Sequence, residues 1–545
     1  MLAKHPKALY VISLVSFFER MAYYILFAVL TLFIQSSYNI SLRWTGVIYA
    51  LFLFFVYILG IGGGWLADRR LGYERSCLAG MVIMLAGYVL LVIPCHSPAL
   101  LLVILFILAV GNGLYKSNMV TLLGEAYEGN AFKGQRDAGF NIFYMSFNAG
   151  AMISPFLAFY ASTITMRYEG FSYDPRLYEL ARKFLAGMFV DELSLRQLMA
   201  GQPGYVAGDI TAFCRKYLEA VSMGYHVAFG IAALAMAVAL LIFVLLKKQL
   251  AFSGIRKTTI EDETLQNKAN DRERVQLLLM VMAVMMFFWM SFYQNGYALT
   301  LFANQYVVSK VNSFTFLFFD FVSVVLLVPV FIFLSLILRK EIPARWKVAG
   351  ALFAVASGLA IMFRYKSFSG DYLIKAEMFQ YFNPFFCLVA TPFLLLLFRK
   401  LGDKQPSTRQ KMMLGMLLTA LAFLLLSLGS LHLPSPHSLQ GGISFVQVSP
   451  WWLIGMYFIT TVAELLLNPI GMSFVSKVSP PHLRGLMQGS WFGSMAAGNL
   501  LSGIVGAFLW NSLELWQFFL IFIVTSFISA QIIFLLGKKF KKVCA

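Results

Sequence analysis

Charge is scarce in this chain: Asp, Glu, Lys and Arg make up 12% of its 545 residues, against about 25% in soluble globular domains. So little charge cannot clothe a water-exposed surface, which excludes an ordinary soluble enzyme or binding domain. Cysteine is also sparse. The five (Cys77, Cys95, Cys214, Cys387 and Cys544) are scattered and lack CxxC or Cys/His spacing. That excludes a disulfide framework and a zinc site, leaving small packing residues or free thiols. Short segments of alternating polarity are missing, so a membrane β-barrel is not expected. No nucleophile–base constellation, metal-ligand cluster or phosphate loop is present, and "GIGGGWLAD" ends an apolar helix instead of following a strand. An enzyme is therefore not expected, and neither is a cofactor or a metal. A cleavable leader is not expected either. Lys4 and Lys7 precede an apolar run, but Glu19 and Arg20 interrupt it and no small-residue cleavage site follows.

What abounds is apolar length. Hydrophobic residues reach 60% and the mean hydropathy is +0.75. Runs such as "LLLVILFILAVGNGLY" are about the length of a bilayer crossing, and the pattern predicts an all-α integral membrane protein. Spans are expected near 8–35, 44–67, 76–95, 98–123, 138–164 and 222–247, then 275–307, 314–339, 345–365, 377–400, 407–431, 451–476, 485–510 and 514–537. That is about fourteen, with both termini on one side. Six precede the polar stretch "FSGIRKTTIEDETLQNKANDRER" and eight follow it. Residues 248–274 thus read as a linker between a six-helix bundle over 1–247 and a second bundle over 275–545 with an inserted helix pair at about 311–368. Two repeated bundles with a substrate site near the midplane are a common transporter plan. Segment 165–221 has helical periodicity and turn signals and reads as a small helical cap.

The net charge of +18 would suit a polyanion, but its placement argues otherwise. Lysines and arginines gather in short loops between spans, "ADRRLGYER", "LRKEIPARWK" and "FRKLGDKQPSTRQK", and in the tail "GKKFKKVCA". The positive-inside rule puts these loops and both termini in the cytoplasm of a multi-pass cell-membrane protein, the inner membrane in a bacterium. Segment 165–221 balances seven basic against seven acidic residues and is placed outside. The charge sets orientation in the lipid bilayer, and no nucleic-acid partner is expected.

An ionisable side chain at the centre of a span costs at least about 2.5–3.5 kcal/mol on insertion scales, so each is a functional candidate. Glu19 lies about 16 Å along the first span. Helical spacing gathers Ser16, Glu19, Arg20, Tyr23 and Tyr24 on adjoining faces. Lys116 lies in the inner part of the fourth span, where a carboxylate partner is expected, and Glu464 lies mid-span in the run at 451–476. Asp320, near one end of the inserted pair, reads as structural. Two cations in the first half and one anion in the second suit a small zwitterion, its carboxylate facing Arg20 and Lys116 and its ammonium facing Glu464. Low dielectric strengthens such pairing, and charge placement orients the ligand.

These residues lie in motifs that resemble the proton-dependent oligopeptide transporter (POT, or PTR) family of the major facilitator superfamily. "ERMAYY" is similar to the end of the family's ExxERFxYY motif, "GGGWLADRRLG" to its loop after the second span, and "GLYKSN" to its GLFKPN. "RDAGFNIFYMSFNAGAMISP" resembles the PTR2 signature, and "FWMSFYQNG", "FQYFNP" and "ELLLNPIGMSFVSKVSPPHLRGLMQGSWFGSMAAGN" follow in family order. The resemblance covers most of the chain, excluding 165–221 and the inserted pair. It implies the major facilitator fold and a set of roles. Arg20 and Lys116 would meet the peptide's carboxylate end, with Tyr23, Tyr24, Tyr57 and Asn148 lining that wall. Glu464 would take the amino end, with Asn383 and Trp491 nearby and Gln294 lining the site. Glu19 and Glu464 are the candidates for proton coupling, and Asp68 and Arg69 for an inner-loop gate.

Three departures thin the family's acids: Ser16 stands where its motif begins with glutamate, Tyr293 precedes Gln294 where FEQ is frequent, and Asn304 replaces the aspartate of LFADR. The implied function is secondary active import of di- and tripeptides by proton symport and alternating access. The alternatives are a POT-like carrier or facilitator of another small anion or zwitterion, and a transport-inactive peptide-binding sensor.

Overall fold

The computed structural model describes residues 5–544 apart from 39, 41, 95–96, 129, 188, 204, 206–207, 251–264, 297, 338–342, 369, 371–373, 375 and 440–442. Each long apolar run becomes a helix, because only internal hydrogen bonding satisfies a backbone in hydrocarbon. The first half holds α1 (Lys7–Tyr38), α2 (Leu42–Leu66), α3 (Tyr73–Val92), α4 (Pro98–Glu125), α5 (Arg136–Tyr168), α6 (Pro175–Leu185), α7 (Glu192–Ala200) and α8 (Ile210–Leu246). Then come α9 (Leu265–Phe292), α10 (Ala298–Tyr306), α11 (Ser313–Leu317), α12 (Phe321–Ile337), α13 (Ala344–Lys366) and α14 (Phe382–Leu401). The chain closes with α15 (Thr408–Gly429), α16 (Pro436–Leu439), α17 (Pro450–Val478), α18 (Arg484–Leu509), α19 (Leu515–Leu535) and α20 (Gly537–Cys544). Among the described residues the extended pairing amounts to one isolated bridge, Val307 with Val448.

Among the described residues thirteen helices are long and apolar enough to cross a membrane, and the fourteenth expected run, near 314–339, holds the apolar α12, which the described residues follow as far as Ile337. That run is not one continuous helix. Asp320 breaks it by accepting from the backbone N–H of Ser323 at 3.0 Å, so a short α11 is followed by a 17-residue α12. Asp320 also forms a two-point ion pair with Arg364 of α13, Nη2 to Oδ1 at 2.6 Å and Nε to Oδ2 at 3.1 Å. The expected cap at 165–221 holds α6, which packs on α8, and α7, which packs on α6, while Phe171 meets the rings of Phe213 and Tyr217 at the start of α8. Most of the expected linker, 251–264, lies outside the described residues, and α9 begins within its last part.

The contacts divide the chain into two units. The first comprises Met1–Glu128, Ala149–Lys257 and His482–Phe492; the second comprises Gly129–Asn148, Thr258–Pro481 and Gly493–Ala545. Helices α5 and α18 therefore each contribute residues to both.

Glycines set the spacing inside the first unit. A methyl added at Gly113 of α4 would lie 2.8 Å from the Leu59 carbonyl of α2, and one at Gly111 would lie 2.7 Å from Met84 and 2.8 Å from the Gly80 carbonyl of α3. A close approach is also present at "GIGGG", since Gly64 of α2 faces the Gly485 backbone and Gly489 faces Gly60. Such backbone contact is how helices associate where lipid removes the ordinary hydrophobic drive. In the second unit α15 packs on α17 and α19, with Gly415 against Leu467, whose Cγ would lie 2.6 Å from an added methyl.

Two outcomes follow. Gly113→Val should destabilise the protein by about 1–3 kcal/mol through overpacking, read as a lower thermal midpoint in detergent, while Gly62→Ala, with no neighbour within 4 Å, should not lower it. Asp320→Asn should cost about 1–2 kcal/mol, less than a fully buried pair, because the Arg364 side chain is 38% exposed. An unchanged midpoint for Asp320→Asn would show that the inserted helices hold together by apolar packing alone.

Candidate functional site

Helix α1 brings a charged pair into the core of the first unit. Glu19 and Arg20 are consecutive and point about 100° apart around the helix, yet their long side chains bend together. Arg20 Nε donates to Glu19 Oε2 at 2.5 Å, and Nη2 meets Oε1. Both residues are at most 2% exposed. The guanidinium carbon lies 4.6 Å from the centroid of the Tyr23 ring, and Tyr23 packs edge-on to Tyr24 at 5.3 Å. The sequence-predicted group of Glu19, Arg20, Tyr23 and Tyr24 is thus assembled on one helix. Ser16, one turn earlier, shares a hydrogen bond of 3.0 Å with Tyr115 OH of α4.

Lys116, from α4, is buried and has no carboxylate partner among the described residues. Its Nζ lies 4.3 Å from the Tyr57 ring centroid of α2 and 4.5 Å from that of Phe492 of α18. This corrects the expectation of a carboxylate partner. The negative faces of two aromatic rings offer the ammonium an electrostatic substitute, while Glu19 is engaged by Arg20. Gly113, one turn before Lys116, lets α4 approach α2 closely enough for the lysine to reach Tyr57.

The second unit presents the opposite sign. Glu464 of α17 is 2% exposed and its contacts are neutral. Tyr144 OH donates to Oε1 at 2.5 Å, Asn383 Nδ2 donates to Oε2 at 2.7 Å, and the Cys387 thiol lies 4.0 Å away. Asn383 is steadied by Thr461 Oγ1 at 3.3 Å. Among the described residues no cation pairs with Glu464. Gln294 sits buried in the turn between α9 and α10 and donates to the Ser502 carbonyl at 3.1 Å.

Two expected lining residues group differently. Asn148 ends the second unit's part of α5, its amide donating to the Tyr144 carbonyl at 2.9 Å, and Trp491 is fully buried within the first unit's part of α18. Each falls in the unit other than the one holding its expected partners. The inner-loop residues make helix contacts. Asp68 accepts from the backbone N–H groups of Gly485 and Leu486, both at 2.8 Å, and from Tyr73 OH at 2.8 Å. It thereby caps the positive N-terminal end of α18. Arg69 lies over the Trp65 ring at 5.0 Å.

Sequence reasoning missed Tyr144, although it lies within the quoted "FNIFYMSFN". Its signal was weak, a tyrosine one turn before Asn148 in an aromatic-rich helix. Asp137 and Lys411 were also missed, because each reads as a charge at a span end. In the second unit they form an ion pair at 3.2 Å, with Ser473 Oγ donating to Asp137 Oδ1 at 2.7 Å and Arg136 reaching Ser476 at 2.7 Å.

A sequence model described as PTR2, POT family, matches residues 75–267 and 351–515. Dipeptide and tripeptide permease A of Chromobacterium violaceum is 26% identical over 509 residues, which cover 92% of this chain and 85% of that protein. The Escherichia coli protein of the same name is 25% identical, covering 93% and 85%. Among solved structures, a POT family transporter in complex with 5-aminolevulinic acid superposes with a TM-score of 0.58 at 20% identity, covering 98% of this chain and 97% of that one. Another, bound to a thioalcohol-conjugated peptide, gives 0.52 at 22% identity with the same coverage. These superpositions show the fold, the all-α architecture of the major facilitator type. With the family match spanning both halves, the chain is a multi-pass membrane transporter, not an enzyme, and belongs to the POT family.

Proposed function

We propose that this transporter imports di- and tripeptides with protons, by alternating access of the halves 1–247 and 275–545, with both termini in the cytoplasm. One observation carries the reading. Among the described residues, Lys116 is a buried cation with no carboxylate at ion-pair distance, and Glu464 is a buried carboxylate with no cation at ion-pair distance. Each is held by neutral groups, at an energy that argues for use. A small peptide carries the two missing counter-charges on one molecule. Relatives named dipeptide and tripeptide permease support this choice of zwitterion.

In this reading Lys116 and Arg20 take the peptide carboxylate. Glu19 orients Arg20, while Tyr23, Tyr24 and Tyr57 offer aromatic faces and hydroxyls. Glu464 takes the amino end, with Tyr144 and Asn383 fixing its two oxygens until a ligand arrives. Asn148, Gln294 and Trp491 shape the surroundings, and Asp68 with Arg69 gates. Proton coupling falls to Glu464 and Glu19, because Ser16, Tyr293 and Asn304 hold no carboxylic acid. A carboxyl group surrounded by neutral donors accepts a proton without breaking an ion pair, which fits Glu464 for the task.

Purified protein in proteoliposomes should accumulate a labelled dipeptide above equilibrium when an inward proton gradient is imposed. Gradient-independent equilibration would instead identify a facilitator. Glu464→Gln should abolish accumulation. If Glu464→Gln still accumulates peptide, coupling resides elsewhere. Lys116→Gln should raise KM for a dipeptide by roughly 10–150-fold, the value of one charge-assisted hydrogen bond. The C-terminal amide of that dipeptide should compete poorly for the native protein, and the gap between acid and amide should narrow in the variant, where Arg20 alone still faces the carboxylate. Equal discrimination between acid and amide in both proteins would remove Lys116 from the carboxylate site.

A further inference from the structure

The last helix, α20, reads "GKKFKKVC" and places four lysines in five positions around one phenylalanine. At 100° per residue, Lys541, Lys538, Lys542 and Lys539 fall within one arc, and Phe540 points opposite its centre. The structure fits that pattern. Phe540 is buried and stacks on Phe474 near the end of α17 with centroids 5.1 Å apart, while all four lysines are exposed.

Its surroundings fix its level. Helix α20 begins two residues after α19 ends at Leu535. Lys542 pairs with Glu273 of α9 at 2.5 Å, just before the apolar part of that helix. Arg409, at the second position of α15, donates to the Phe534 carbonyl at 3.2 Å. The ends of α9, α15, α17 and α19 therefore meet at α20, at the rim of the membrane-crossing region. Glu273 takes up one of the lysine charges. Lys538, Lys539 and Lys541 make no ion pair among the described residues, Lys539 Nζ meeting only the Met280 sulfur at 3.7 Å, so three like charges share one arc without a protein counter-ion.

We propose that this lysine arc is a docking surface for anionic phospholipid headgroups of the leaflet at that rim. Phe540 holds the helix to the bundle, Lys542 fixes its direction through Glu273, and the remaining lysines face phosphate groups beside the last span. Neutral phosphatidylcholine cannot supply the missing net charge, whereas phosphatidylglycerol can. Near an anionic surface each lysine contributes roughly a fivefold preference, screened by salt.

The test uses the full chain in nanodiscs of phosphatidylcholine with a rising share of phosphatidylglycerol, and reads amide hydrogen exchange over residues 536–544. Exchange there should slow at least about fivefold as phosphatidylglycerol rises to half, and high salt should reverse the slowing. The variant Lys538→Gln/Lys539→Gln/Lys541→Gln should lose this dependence, with the exchange of α17 and α19 unchanged. Equal exchange in both lipids overturns the proposal, as does undiminished slowing in the triple variant. Equal slowing by inorganic phosphate in pure phosphatidylcholine would also overturn it, by showing a site for free anions and not for lipid.

Discussion

Hydrocarbon offers no water to a buried charge, and that one condition orders most of this molecule. Backbone groups meet the condition by forming helices. Ionisable side chains meet it in three ways, each using different chemistry. Glu19 and Arg20 neutralise each other on α1. Lys116 leans on two aromatic faces. Glu464 collects hydrogen bonds from a phenol and an amide. The first arrangement is complete in itself. The other two leave a net charge in a low-dielectric interior, and a charge left so is a standing invitation to a ligand of opposite sign.

The same condition separates structural from working charges in the rest of the chain. Asp320 with Arg364, and Asp137 with Lys411, are closed ion pairs that tie one helix to another. Asp68 is closed in a different way, its two oxygens taken by the first turn of α18 and by Tyr73. Each of these carboxylates ties its own segment to another helix, so they read as joints. Glu464 differs from the two ion pairs in meeting only neutral groups.

Much of this was legible in the sequence, for physical reasons. Apolar length fixes helices in lipid more firmly than periodicity fixes them in water, so most span ends were readable to within a few residues, whereas α8 begins at Ile210 and not near 222, and α9 at Leu265 and not near 275. The break inside 314–339 was not readable, because Asp320 stops one helix and starts the next through a local hydrogen bond that run length does not reveal. Buried charges announce themselves by rarity, which is why Glu19, Arg20, Lys116 and Glu464 stood out. Their partners did not. A ring beneath Lys116 and a phenol on Glu464 are common residues in a chain with 16% aromatics, and only three-dimensional packing distinguishes Tyr57 and Tyr144 from the others. Asp137 and Lys411 were hidden for the opposite reason, since charges at span ends are the rule.

Helix α4 has glycines turned toward two neighbours, Gly113 toward α2 and Gly111 toward α3, with Lys116 within a turn and a half of both. Neither contact tolerates a slide along the axis, because backbone meets backbone at each. The height of the lysine is therefore set by helix surfaces and not by the loops on either side. Those loops are free to lengthen, shorten or change composition over evolutionary time without moving the charge. The three helices, by contrast, form a single heritable part: exchanging α4 between relatives without α2 and α3 would transfer the lysine but not its address.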